Sequence, residues 1–306
     1  MSFLRRALGG DPAPEWAAFM SGDEYRTFAR NLEGVLSKRG WSSRITDEGS
    51  VVVDRGGGAP EEFGLSNLAQ LCKQIDRSKW AEAISAHFTN LDAAAAASEQ
   101  LKSFAVAEPL LKARVYRTSE MPADALAGMV TRPLAPDLVA VLVADLPTTV
   151  QTLGKQTVAA WDMPIDKLFG IATTHMAEEA ATYDRSDVDL GAGTSAKALS
   201  GNSFFVGSQV IRFRELAGEL PQGALVVAPT RHILIWHPLE TAEKTIRAVN
   251  SIIALAANLY AQGPGSLTPT LFWWHGALTV LPATTAGGKT QFAPPDEFVE
   301  LLESLT

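Results

Sequence analysis

Residues 230–238 read TRHILIWHP: two histidines, His232 and His237, bracket four large apolar residues, with Arg231 beside the first. Such a stretch is either a metal or catalytic site, or a core strand with chemistry only at its end. Side chains alternate faces along a strand, so residues 232 and 237 point opposite ways. His232, Leu234 and Trp236 then line one face, and Ile233, Ile235 and His237 the other. Burial of so much apolar side chain dominates the energetics, and the spacing predicts a core strand over 232–237, without a shared metal. ALVVAP (224–229) is a second apolar run, and Thr230-Arg231 between the two reads as a hairpin turn.

The text around this pair extends the pattern. A helix is expected over 239–261, broken by GPGS. TLFWW (270–274) and ALTVLP (277–282) form a second hairpin across His275-Gly276, and EFVELLESL (297–305) is an amphipathic helix. Upstream, FFVGSQVIRFRELAG (204–218) reads as a short helix, GAGTSAKALSGN (191–202) as loop and ATYDRSDVDL (181–190) as a strand. PIDKLFGIATTHMAEE (164–179) is a helix with Pro164 at its first turn. LVAVLVADL (138–146) is a near-continuous apolar run, which implies burial on both faces, and LLKARVY (110–116) is a further strand.

The N-terminal third begins with SGDEYRTFARNLEGVLSKRG (21–40). Ser21 and Glu24 have capping-box spacing, Tyr25, Phe28, Leu32 and Leu36 share a face, and Gly40 ends the helix. SSRIT (42–46) and SVVVD (50–54) are short strands around Asp47-Glu48-Gly49; RGGGAPEE (55–62) is loop; helices are expected at 65–75 and 78–104. Hairpins mixed with helices give an α+β fold: a mixed, largely antiparallel sheet built from hairpins with packed helices. The pattern changes near 107–109, which divides a helical/ββα region (1–108) from an α+β domain (109–306), either as two lobes or packed as one unit.

Composition narrows the function classes. Among the 306 residues acids outnumber bases 34 to 26, a net charge of −8 that argues against a nucleic-acid binder, which needs a basic face. With 46% hydrophobic and 20% charged residues the chain reads as a soluble globular protein. Cys72 is the only cysteine, so an intramolecular disulfide and a Cys-rich metal site are both excluded. MSFLRRALGGDP at the start lacks the apolar run of a signal peptide, and IRAVNSIIALAANLY (246–260) is too short to span a bilayer; a cytoplasmic protein without membrane attachment is expected.

The remaining motifs weaken on inspection. GGKT (287–290) lacks the earlier glycine of a phosphate-binding loop, since position 283 is alanine. GAGTSA (191–196) fits a relaxed dinucleotide pattern, but Ser200-Gly201-Asn202 interrupts where a helix must follow. His175 and Glu178 have i, i+3 spacing on a helix without further ligands, and DRSDVD (184–189) lacks the glycine and terminal glutamate of a calcium loop. No metal or cofactor is therefore expected, and no catalytic residue is assigned.

LAPDLVAVLVADLP (134–147), WDMPIDKLFGIA (161–172), NSFFVGSQVI (202–211), GALVVAPTRHILIWHP (223–238) and LYAQGPGSLTPTLFWWHGAL (259–278) resemble the YtpQ family of bacterial proteins of unknown function. The resemblance covers about 110–282 and more weakly the ISAHF region (84–88). It implies a cytoplasmic bacterial protein and a shared fold, and carries no site residues.

Two functions follow from the residues. The first expectation is a protein-binding module whose contact surface includes Trp273 or Trp274, because adjacent strand residues face opposite sides and an exposed tryptophan suits a binding patch. The alternative is a small-ligand binder or enzyme with a pocket between 202–212 and 230–232, where Asn202, Ser208, Gln209, Arg231 and His232 converge. The oligomeric state is left open.

Overall fold

The computed structural model describes residues 12–147, 149–191, 193–263, 265–286 and 289–305. Nearly all of MSFLRRALGGDP, Ala192 of GAGTSA and both glycines of GGKT fall outside these residues. Contacts divide the chain into two compact units, Met1–Ala96 and Ala97–Thr306. The division precedes the 108/109 boundary read from sequence because Leu101 and Ala107 are buried among the side chains of the second unit.

In the first unit α1 (Gly22–Lys38) starts at a complete capping box, with Glu24 N donating to Ser21 Oγ at 3.2 Å and Ser21 N donating to Glu24 Oε2 at 2.8 Å. Its Phe28, Leu32 and Leu36 are buried, and Gly40, at φ +77°, lets the chain turn back. β1 (Ser42–Ile45), β2 (Ser50–Asp54) and β3 (Glu61–Gly64) form an antiparallel sheet in that order. β3 begins inside the stretch read as loop; its paired glutamates mask a strand whose only apolar residue, Phe63, stands opposite Val51. α2 (Ser66–Gln74) and α3 (Trp80–Gln100) complete the layer, with Trp80, Ile84 and Phe88 in the core.

The second unit is α+β, with antiparallel sheets. α4 (Phe104–Ala107) leads into β4 (Leu111–Arg117), α5 (Ala123–Gly128), β5 (Thr131–Ala135), β6 (Leu138–Asp145), β7 (Val150–Thr152), α6 (Lys155–Ala159) and α7 (Ile165–Ala180). β6 is central, pairing with β4, β5 and β7. Its continuous apolar text has the expected consequence: Ala140, Leu142 and Ala144 pack toward α7, while Val139, Val141 and Val143 pack on the other face with Phe205.

β8 (Asp184–Gly191), β9 (Thr194–Ser200), α8 (Phe213–Ala217), β10 (Ala224–Thr230), β11 (Ile233–Pro238), α9 (Ala242–Gln262), β12 (Phe272–Trp274) and β13 (Leu278–Val280) follow. The strands make one sheet, ordered β13-β12-β10-β11-β9-β8. Leu225, Val227 and Ile235 pack beneath α9, while Val226, Leu234 and Trp236 meet Phe213 on the opposite face. β14 (Ala283–Ala286) and β15 (Lys289–Phe292) form a separate hairpin, and α10 (Asp296–Ser304) ends the chain.

Three expectations change here. The stretch read as loop over 191–202 contains β9: small Ala196 and Ala198 alternate with Ser195 and Lys197, so a strand buries little bulk and its text looks like linker. Gly191 and Gly193, at φ +85° and +75°, make its hairpin turn. The helix expected over 204–218 is a 3₁₀ segment, Gly207–Arg212, followed by α8. The turn of the opening hairpin is Arg231-His232, because an irregularity between Val227 and Thr230 lengthens β10 and brings Thr230 opposite Ile233. No helix among the described residues is long and apolar enough to cross a membrane.

Candidate functional site

The Arg231-His232 turn is tied down by backbone on three sides. Arg231 N donates to Gly265 O at 2.8 Å, Gly207 N donates to Arg231 O at 3.1 Å, and Gly201 N donates to His232 O at 3.2 Å. Two of these partners must be glycine. A Cβ on Gly207 would fall 2.4 Å from Thr230 O, and one on Gly265 would fall 2.3 Å from Arg231 Nε. The Arg231 side chain therefore lies directly across the Gly265 backbone.

That placement fixes the guanidinium. Arg231 Nε donates to His232 Nε2 at 3.0 Å, and the guanidinium carbon lies over the Phe204 ring, 4.3 Å from the centroid. Because His232 Nε2 accepts, the imidazole is neutral and carries its proton on Nδ1, which faces Gly201 O at 3.2 Å. Burial and then the Arg231 charge hold His232 below its ordinary value, consistent with that tautomer. Burial, reinforced by the charge of Arg114, pushes Arg231 down to about 10.

Arg114 comes from β4, where Lys112, Arg114 and Tyr116 alternate with the buried Leu111, Ala113 and Val115. Ser208 Oγ accepts from Val115 N at 3.1 Å, and the neighbouring Gly207 binds Arg231, so the strand and the turn are held by one segment. Arg114 lies with its guanidinium carbon 5.0 Å from the Tyr116 ring centroid, and its Nε is buried without a partner.

The basic residues of β4 differ in one respect. Lys112 Nζ reaches Asp145 at 2.6 Å and also Glu179; Arg117 reaches Asp137 at 2.9 Å and Glu120 at 2.8 Å. Among the described residues, no ion pair includes Arg114 or Arg231. Their charges act on each other instead. Two half-buried guanidinium groups, each beside an aromatic ring, thus have no carboxylate partner among the described residues.

Of the residues expected to line a pocket, Arg231 and His232 are in this site. Asn202 is exposed on the adjoining loop. Ser208 and Gln209 are not lining residues. Both are fully buried; Gln209 Nε2 donates to Met176 O at 3.0 Å and its Oε1 accepts from Arg212 at 3.1 Å, so they hold the 3₁₀ segment to β4 and α7. Trp273 is a core residue, stacked on His275 with centroids 3.7 Å apart, and its ring is not available to a partner; Trp274 is half-buried against Phe213. His237 is buried with Nδ1 2.7 Å from Ser195 O, and His175 Nδ1 lies 2.9 Å from Leu111 O. Among the described residues, no cluster of three metal-ligating side chains occurs.

Arg114, Tyr116 and Phe204 were not singled out from sequence. The available signal was the basic alternation in LLKARVY, where Lys112 and Arg114 share a face of a predicted strand. Comparisons with protein families, curated proteins and solved structures return no match.

Proposed function

We propose that the chain acts by binding, and that it captures a small oxyanion-bearing ligand at the Arg231-His232 turn. The observation that carries this is a pair of guanidinium groups without carboxylates, Arg231 on the turn and Arg114 on a strand whose other two basic side chains are each paired with two acids. An unpaired, partly desolvated cation raises the free energy of the empty site, and an arriving anion relieves it. With Nε engaged by His232 and one face covered by Phe204, Arg231 has its Nη edge left for a bidentate oxyanion. His232 is a positioning residue that holds the fork. A protein partner docking on the tryptophan pair is the less favoured function, since Trp273 is core. Family kinship with the YtpQ proteins is likewise a proposal, on the segments quoted above.

The test is titration calorimetry with inorganic phosphate, sulfate and acetate on the wild type, Arg231→Gln and Arg114→Gln, with thermal melts as folding controls. Saturable binding of at least one oxyanion, weakened about tenfold or more by either substitution, is the expected result. A wild type that binds none of the three, or variants that bind as well as the wild type, would overturn the proposal.

A further inference from the structure

We infer that the ligand of this site is a dianionic phosphate monoester, its phosphate shared by Arg114 and Arg231 and its organic group lying against Phe204. The inference rests on the oxyanion-binding function proposed above and adds the charge and the second half of the ligand.

Charge is the first argument. Lys112 and Arg117 bracket Arg114 on the same strand and each holds two carboxylates, so the fold supplies acids to that strand generously. It supplies none to Arg114, and none to Arg231, whose turn is tied to the same strand through the adjacent Gly207 and Ser208. Two open positive charges are matched by a ligand carrying two negative charges on one compact group. A monocarboxylate or a sulfate ester neutralises one guanidinium and leaves the charge of the other, partly desolvated, without a counter-ion.

Geometry is the second. Each guanidinium lies over its own ring, Phe204 for Arg231 at 4.3 Å and Tyr116 for Arg114 at 5.0 Å from carbon to centroid. Two forks from two elements fit the several oxygens of a tetrahedral phosphate, where a planar carboxylate offers only one bidentate edge. Neutral His232 accepts from Arg231, so it fixes the fork without competing as a charge.

Phe204 supplies the third. It is 36% exposed, next to the fully buried Phe205, in a loop whose backbone is tied to the turn through Gly201. Apolar surface beside a cationic site suits a phosphate attached to carbon, not a free inorganic ion.

The experiment compares phenyl phosphate, phenyl sulfate and methyl phosphate by titration calorimetry at a pH of about 8, where the phosphate esters are dianions because their second pKa is about 6. Phenyl sulfate has the same shape and one charge. Phenyl phosphate is expected to bind at least about tenfold tighter than phenyl sulfate, and tighter than methyl phosphate. Arg114→Gln is expected to bring phenyl phosphate down to the affinity of phenyl sulfate, and Arg231→Gln to weaken both. Phenyl sulfate binding as tightly as phenyl phosphate would overturn the dianion assignment and leave the oxyanion function standing. Methyl phosphate equal to phenyl phosphate would overturn the role of Phe204. Failure of all three esters and of inorganic phosphate would overturn the oxyanion function itself. Arg231→Lys, which keeps the charge and loses the fork, separates a folding defect from a binding one: a wild-type melt with lost discrimination is expected, and retained discrimination would overturn the fork argument.

Discussion

Gly265→Ala tests the architecture of the turn without touching either arginine. The position holds φ +79°, and a Cβ there would sit 2.3 Å from Arg231 Nε, 2.5 Å from its Cδ and 2.7 Å from its Cγ. Two penalties add. A left-handed backbone costs alanine about 1–2 kcal/mol. The clash falls on the middle of the Arg231 side chain, which must leave Phe204 and His232; for a half-exposed arginine the lost stacking and hydrogen bond are together worth about 1–2 kcal/mol. The sum is about 2–4 kcal/mol. Gly276→Ala is the matched control: its φ is +97° but nothing lies within 4 Å of the added carbon, so only the backbone penalty applies.

Both glycines lie in the unit Ala97–Thr306, so the same unfolding transition reads both variants. Urea denaturation should place Gly265→Ala about 1–2 kcal/mol below Gly276→Ala, and phosphate titration should show binding lost in the first and kept in the second. Equal destabilisation of the two, with phosphate binding intact in Gly265→Ala, would refute the claim that this glycine seats Arg231.

Three further outcomes are expected. Trp236→Ala should destabilise the second unit by about 3–5 kcal/mol, because the ring is 6% exposed and packs edge-on against Phe213; an unchanged melt would contradict its core position. Thr194→Val should stabilise by about 1 kcal/mol, since the buried Thr194 Oγ1 has no partner and an isosteric methyl removes its desolvation penalty; a loss of stability in urea would mean the hydroxyl is bonded. Glu24, held at about 2 by Lys73 and by the Ser21 backbone, contributes stability that is present above its ordinary value of 4.5 and is lost as pH falls toward 2; Glu24→Gln should flatten the acid limb of the first unit's stability profile, and a superimposable limb would refute that role.

What the sequence showed and what it concealed divide along one physical line. Periodic burial is local, and it was legible: the capping box at Ser21, the doubly buried β6, and the alternation that sets Leu234 and Trp236 against Ile233 and Ile235 all follow from residue type and spacing, although His232 lies in the turn and not on the strand. Strands made of small or charged residues were not. β9 buries Ala196 and Ala198, and β3 displays Glu61 and Glu62, so neither carries the apolar signal that marks a strand. Half of the site was legible for a similar reason, since Arg231 and His232 stand at the end of an obvious hairpin, where scaffolds carry function. The other half depends on neutralisation, which no local pattern encodes. Lys112, Arg114 and Arg117 look alike along the chain; only the folded arrangement gives Asp145 and Glu179 to the first, Asp137 and Glu120 to the last, and none to Arg114. The same holds in reverse for Ser208 and Gln209, whose polar side chains suggested a ligand but satisfy Val115 N and Met176 O in the interior. Polar residues near a turn are therefore ambiguous until their partners are counted, and here the cations without a carboxylate are Arg231 on the turn and Arg114 on β4.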